Sequence, residues 1–127
     1  MGAPWLKVLA AALLAAIIAA AGAGKLRGML EDDESPAQLA ALAAQVRPGE
    51  VVLYTTSDCL YCNIAKEWLR QRHFPYSECD MSVSQACVRE YEAYGARGTP
   101  FLVVRGEQMR EGFQAAVFVK ILKHRPS

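Results

Sequence analysis

An α/β fold is predicted for residues 50–124, and three observations predict it. A strand-like run, Val51-Val52-Leu53-Tyr54-Thr55, passes through the polar turn Thr56-Ser57-Asp58 into a stretch from Asn63 to Arg72 with Ile64, Ala65, Trp68 and Leu69 at helical spacing. A second strand-and-helix pair follows in residues 74–94. A continuous apolar run from Pro100 to Val104 then meets the turn Arg105-Gly106-Glu107 and a short strand from Gln108 to Glu111, the pattern of a hairpin.

The elements follow in order. Phe74 to Asp80 reads as the second strand. Ser82 to Tyr94 reads as a helix with Val83, Cys87, Tyr91 and Tyr94 on one face, and Gly95-Ala96-Arg97-Gly98 breaks it. Phe113 to Lys123 returns to helical spacing through Ala116, Val119 and Leu122. The order is βαβ, helix, ββα. Upstream, Ser35-Pro36-Ala37-Gln38 is a capping-box pattern with proline at the first helical position, and that helix runs to Val46 before Arg47-Pro48-Gly49 ends it.

Between the first strand and its helix stands Cys59-Leu60-Tyr61-Cys62. Strand, turn, CxxC, helix is the layout of a thioredoxin-like redox site. It places the first sulfur at a helix start, where exposed N–H groups and the positive end of the macrodipole stabilise a thiolate. Two intervening residues let the second sulfur reach the first across one turn, so a disulfide can close and reopen. Cys79 and Cys87 leave two readings open: buried free thiols, since cysteine often packs as a small hydrophobe, or a second disulfide in an oxidising compartment.

With the CxxC, the Thr99-Pro100 pair and the Gly112-Phe113 turn in this order, residues 50–122 resemble a glutaredoxin-family domain. The resemblance implies a thioredoxin-like sheet of four mixed strands flanked by helices. It implies Cys59 as nucleophile, Cys62 as resolving thiol and Thr99-Pro100 as a cis-proline loop facing them. It further implies a substrate or glutathione surface at Tyr61, Arg97, Thr99, Pro100, Gly112, Phe113 and Gln114. The expected activity is thiol–disulfide exchange with protein or glutathione mixed disulfides. No cofactor is expected to be bound, and glutathione is the implied co-substrate.

Departures from the family pattern bear on that last point. Leu60 stands where the family usually has proline. The stretch Glu111-Gly112-Phe113-Gln114 has one glycine and a neutral amide where paired glycines and an acidic residue normally hold the glutathione amino group. Thr55-Thr56-Ser57-Asp58 carries no cation. Weak glutathione dependence is the expectation, with Leu60, Tyr61, Phe101 and Phe113 forming an apolar surface around the disulfide for a protein substrate.

The N-terminal segment is of another kind. Behind Lys7, residues Val8–Gly24 carry no charge and are mostly alanine with Leu9, Leu13, Leu14, Ile17 and Ile18, and Ala21-Gly22-Ala23 resembles a signal-peptidase site. Residues 1–24 are therefore expected to be a signal peptide or membrane anchor, residues 25–49 a linker with the capped helix, and residues 125–127 a tail. A membrane-anchored or exported protein, in a bacterial periplasm, follows from that reading.

Composition narrows the partners. A net charge of +1 gives no case for nucleic acid, and the basic group Lys120, Lys123, His124 and Arg125 suits a solvated helix end. His73 and His124 have no ligand-spaced partners, and no metal site is expected. A zinc site would need Cys59, Cys62, Cys79 and Cys87, and structural zinc usually draws on two close pairs. The competing function class is a membrane-tethered binding module that holds a client, zinc or an iron–sulfur cluster through the cysteines. An intact CxxC facing a Thr-Pro loop favours the enzyme, a monomer acting on protein thiols or disulfides.

Overall fold

The computed structural model describes residues 4–13 and 34–125, in two units that divide after Glu34. The first unit shows one helix, α1, over residues 4–13. Here the sequence expectation is corrected. Among the described residues no helix is long and apolar enough to cross a membrane. The anchor helix, the membrane partner and the membrane-anchored location rested on that span and are corrected by this finding. Residues 14–24, including Ala21-Gly22-Ala23, lie outside the described residues.

The second unit runs α2 (Pro36–Gln45), β1 (Val51–Thr55), α3 (Leu60–Gln71), β2 (Ser77–Asp80), α4 (Gln85–Ala93), β3 (Phe101–Val104), β4 (Glu107–Met109) and α5 (Ala115–His124). Its four strands make one mixed sheet in the order β2-β1-β3-β4, with β1 parallel to β2 and antiparallel to β3. This is the thioredoxin-like sheet that the resemblance implied.

The central strands read as unbroken apolar runs because both of their faces are covered. Val51 and Leu53 of β1, with Leu102 and Val104 of β3, join a core built with Ala43, Ala65, Leu69, Phe118, Val119 and Leu122 of α2, α3 and α5. The alternate residues, Tyr54, Phe101 and Val103, point the other way and pack with Tyr91 of α4, Cys79 and Met81. Successive side chains of a strand face opposite sides, so one pair of strands serves both cores. The α4 side is the lighter one, since α4 itself has no fully buried residue.

Element boundaries shift where side chains cap helices. The Ser35–Gln38 capping box is present and starts α2. Cys59 is the N-cap of α3, which therefore begins three residues before the apolar spacing indicates. Ser84 caps α4, after a turn in which the Ser82 N–H donates to Asp80 Oδ1. Val83, expected on the inner face of α4, falls outside the helix and is 84% exposed. The residues preceding β2 are not strand: Phe74 is instead buried in the larger core, stacked on Trp68.

The β3–β4 turn contains only Arg105 and Gly106, since Val104 pairs with Glu107. Both residues have positive φ, 47° and 82°. Glycine takes this conformation freely, whereas arginine needs compensation. Arg105 Nε donates to Glu50 Oε2 at 3.2 Å. Its Nη1 donates to the carbonyls of Leu122 and Arg125, and its Nη2 to that of Gln45. One guanidinium thus ties the end of α2, the start of β1 and the end of α5 to the hairpin. Hydrogen bonds to a charged group are each worth about 1.5–3 kcal/mol, but partly exposed ones contribute less. An Arg105→Met variant should lose about 2–3 kcal/mol of unfolding free energy in urea, with little change in the activity of the molecules still folded.

Glu50 gives that knot a pH dependence. The Arg47 N–H donates to its carboxylate at 2.8 Å. That bond first, then the hydrogen bond and charge of Arg105, hold its carboxyl below the ordinary value of 4.5. A depressed carboxyl contributes stability that is fully present above its unfolded value and is lost as pH falls through the folded one. The stability gap between the wild type and Glu50→Gln should therefore be full near neutrality and shrink as pH falls below about 4.5. Urea midpoints measured across the acid range check this; a gap that stays constant with pH refutes it.

Candidate active site

The reactive pair sits where β1 hands over to α3. β1 ends at Thr55, the turn 56–58 reverses the chain, and Cys59 adopts extended backbone (φ −97°, ψ 102°) as the helix N-cap. N-caps usually offer an oxygen to a first-turn N–H. Here the acceptor is sulfur: the Cys62 N–H donates to Cys59 Sγ at 3.0 Å. Cys59 and Cys62 form a disulfide with their Cα atoms 5.1 Å apart. Cys62 is 0% exposed and Cys59 9%.

Opposite the pair lies the loop before β3. The Thr99-Pro100 bond is cis, and the Thr99 hydroxyl donates to Cys59 Sγ at 3.3 Å. Two hydrogen-bond donors thus converge on one sulfur, Cys62 N–H from its own helix and Thr99 from across the sheet. Charge on an acceptor strengthens such bonds, so both favour a Cys59 thiolate once the disulfide opens.

Two longer links fix the segments that carry these donors. The Ser57 N–H, two residues before Cys59, donates to Ser82 Oγ at 2.9 Å. The Tyr91 hydroxyl donates to the carbonyl of Gly98, the residue before Thr99, at 2.9 Å. Behind them Tyr54 donates to Glu90 Oε2 at 3.0 Å. Burial first, then this hydrogen bond and the carboxylate's charge, push the Tyr54 phenol far above its ordinary value of 10.0. It is a structural donor and no acid. Cys79 and Cys87 form a second disulfide, with Cα atoms 5.4 Å apart, that joins the end of β2 to the first turn of α4.

The other expected site residues divide. Tyr61 is 70% exposed beside the disulfide, next to Leu60 at 69% and near Ile64 at 53%. Pro100 is buried, and Arg97 is exposed on the loop leading to Thr99. Gly112 has φ +83°, and Gln114 is the N-cap of α5 without making a side-chain cap bond. Of the two phenylalanines expected at the surface, one is fully buried and the other half-buried. Phe101 is 1% exposed within the Tyr54, Tyr91 and Tyr94 rings, and Phe113 packs against Trp68 and Phe118. The apolar surface at the disulfide is therefore a ridge of Leu60, Tyr61 and Ile64. Ser82 and Tyr91 escape sequence reading as site residues because their bonds span 25 and 7 positions and neither stands in a local motif.

Among the described residues no group of three or more His, Cys, Asp or Glu side chains could hold a metal ion. The four cysteines are taken up as two disulfides. The binding-module alternative has no donor set there.

A central strand that leads to a helix-capping cysteine, paired in a CxxC disulfide and faced by a Thr-Pro loop, defines a thiol–disulfide oxidoreductase. The comparisons agree: the sequence profile described as glutaredoxin matches residues 51–109. A mutant of the thioredoxin-like protein BC3987 is similar at 30% identity, over 59% of this chain and 96% of that one, with a TM-score of 0.54. The unmutated BC3987 protein is 32% identical over 58% and 96%, with a TM-score of 0.47. A wheat glutaredoxin is 19% identical over 62% and 77%, with a TM-score of 0.43. No individual curated protein sequence matches significantly. The chain belongs to the thioredoxin-like family.

The Thr99 donor has a measurable signature. Thr99→Val keeps the shape of the side chain and removes the hydroxyl from Cys59 Sγ. In reduced protein, the pH midpoint for alkylation of Cys59 by iodoacetamide should move upward by roughly half a unit or more. An unmoved midpoint would remove Thr99 from the site's electrostatics.

Proposed function

We propose that Cys59 is the attacking sulfur, that Cys62 resolves, and that disulfides in proteins are preferred over glutathione mixed disulfides. The observation that carries the roles is the pair of donors on Cys59 Sγ, together with the complete burial of Cys62. The Cys59 thiolate attacks one sulfur of the substrate disulfide. A mixed disulfide forms, and the other substrate sulfur leaves as a thiolate and takes a proton. Cys62, deprotonated, then attacks Cys59 Sγ, which releases the second substrate thiol and closes Cys59–Cys62. Two electrons and two protons pass to the substrate. The sequence runs backward when the substrate is the dithiol.

Two features support the protein preference. The ridge of Leu60, Tyr61 and Ile64 offers apolar contact to a peptide, and a peptide lying across it can pair with the backbone at Thr99. Glutathione's ionic groups find less. Gln114 presents a neutral amide where an acidic residue would hold the amino group, and residues 55–58 carry no cation. Arg97, exposed on its loop, is the remaining candidate for a carboxylate. A lost charged contact costs about 1.5–3 kcal/mol, or roughly tenfold and more in affinity. Glutathione thus serves as a weak co-substrate.

Two assays test the reading. In Cys62→Ser a substrate mixed disulfide should accumulate on Cys59; trapping on Cys62 in Cys59→Ser would reverse the roles. In parallel assays, a disulfide-bonded protein should be turned over at least about tenfold more efficiently than a small glutathione mixed disulfide. Efficient turnover of the glutathione substrate alone, abolished by Arg97→Ala, would overturn the preference.

A further inference from the structure

We propose that Cys79–Cys87 is a second redox centre that sets the reactivity of Cys59–Cys62 through the two segments flanking it. Three observations converge on this. First, the nine residues that the bond closes include Ser82, whose Oγ accepts from the Ser57 N–H at 2.9 Å. That bond holds the turn leading directly into Cys59. Second, the bond fastens the first turn of α4, and α4 carries Tyr91, whose hydroxyl holds the Gly98 carbonyl at 2.9 Å. Gly98 begins the loop from which Thr99 reaches Cys59 Sγ. Third, the start of α4 has little else to fix it. The helix has no fully buried residue, and its further links to the sheet lie toward its C-terminal end: the rings of Tyr91 and the C-cap Tyr94 on Tyr54 and Phe101, the Glu90 carboxylate on Tyr54, and Arg110 on the carbonyls of Tyr94 and Gly95.

Cys79 and Cys87 are both half-buried residues near the surface, and the reductant proposed for them is a small dithiol. In the reductive step the dithiol gives up two electrons and two protons and closes its own disulfide. The Cys79–Cys87 bond breaks, and each sulfur ends as a thiol. Their positions favour Cys87 as the departing thiolate. It lies in the first turn of α4, at the positive end of that helix, whereas Cys79 Sγ lies 3.9 Å from the Glu90 carboxylate, which opposes negative charge there.

Opening the bond frees the 79–87 loop and the start of α4. Ser82 and Tyr91 then hold Ser57 and Gly98 less firmly, and the Thr99 donor is less well aimed at Cys59. The Cys59 thiolate loses stabilisation, so the active-site disulfide becomes harder to reduce. The coupling has a sign: a closed second disulfide favours reduction of the first. By linkage the effect is reciprocal, and reduction of Cys59–Cys62 makes Cys79–Cys87 harder to open.

The proposal rests on Cys59 as the sulfur that the donors serve, and its test does not depend on which sulfur attacks substrate. The full-length wild-type protein is equilibrated in mixtures of reduced and oxidised dithiothreitol and its free thiols are trapped with a mass tag. The four species are counted by intact mass and peptide mapping. Independent centres make the product of the fully oxidised and fully reduced populations equal to the product of the two half-reduced ones. The proposal expects the first product to fall to about one fifth of the second, the low end of ordinary coupling between sites. A ratio of one or above overturns it. Ser82→Ala and Tyr91→Phe each cut one link with both disulfides intact, and at least one should bring the ratio toward one. A ratio still near one fifth in both overturns the route through these segments.

Discussion

A sulfur atom in the place of a capping oxygen is the constraint on which the rest of this site depends. Helix α3 starts where it does because Cys59 Sγ accepts the Cys62 N–H at 3.0 Å, and the same contact aims the sulfur at the loop before β3. A helix must satisfy its first N–H groups somehow, and most helices use serine, threonine or aspartate. Using cysteine joins a structural need to a chemical one. The sulfur that ends the helix belongs to the redox pair, and the macrodipole favours negative charge at that position. Moving Cys59 by one residue in either direction would lose both the cap and the reach to Cys62.

The sheet makes that placement rigid. β1 and β3 are the central strands, and each is buried on both faces, so neither can slip in register without exposing one set of apolar side chains. Tyr54 opposite Phe101 sets the depth of the two segments that meet at the disulfide, β1 with its following turn and the Thr99-Pro100 loop before β3. The far end of the sheet is locked separately. Arg105 joins α2, β1 and α5 there through one carboxylate and three carbonyls. The reactive end is thus held by packing and light polar links, and the remote end by a charge. That division leaves the reactive end the more adjustable of the two.

The order of elements and the CxxC were legible because they rest on local signals: apolar periodicity, turn residues and a four-residue motif. The fine boundaries were not. Val83 was assigned to the inner face of α4 by spacing alone, and the Ser84 cap excludes it. Phe101 and Phe113 were placed at the disulfide because they neighbour the Thr-Pro loop and the Gly112 turn in sequence. In space the aromatic rings of Tyr54 and Tyr91 enclose the first, and the second, half-buried, packs on one side against Trp68 and Phe118. The anchor over Val8–Gly24 rests on hydropathy and on a continuous helix about 25 Å long, whereas among the described residues no helix is long and apolar enough to cross a membrane. Ser82, Tyr91 and Arg105 act through side-chain bonds to distant backbone, which no local pattern announces.

The two disulfides differ in what surrounds them, and the difference suits each to a separate task. Around Cys59 every polar contact is a donor, the Cys62 N–H and the Thr99 hydroxyl, so opening the bond leaves a stabilised thiolate. Beside Cys79 Sγ stands the Glu90 carboxylate, at 3.9 Å. Two unit charges at that distance repel by about 1 kcal/mol in bulk water and about 4 kcal/mol at an effective dielectric constant of 20. Even the lower value disfavours a thiolate at Cys79 and slows exchange through that sulfur. A bond that opens readily suits turnover, and a bond that opens reluctantly suits holding α4 in place. The same Glu90 carboxylate also accepts from Tyr54, whose ring packs against Phe101. The slow disulfide, the lighter core and the strand behind Thr99-Pro100 therefore share one carboxylate, and a change at any of them is felt at the others.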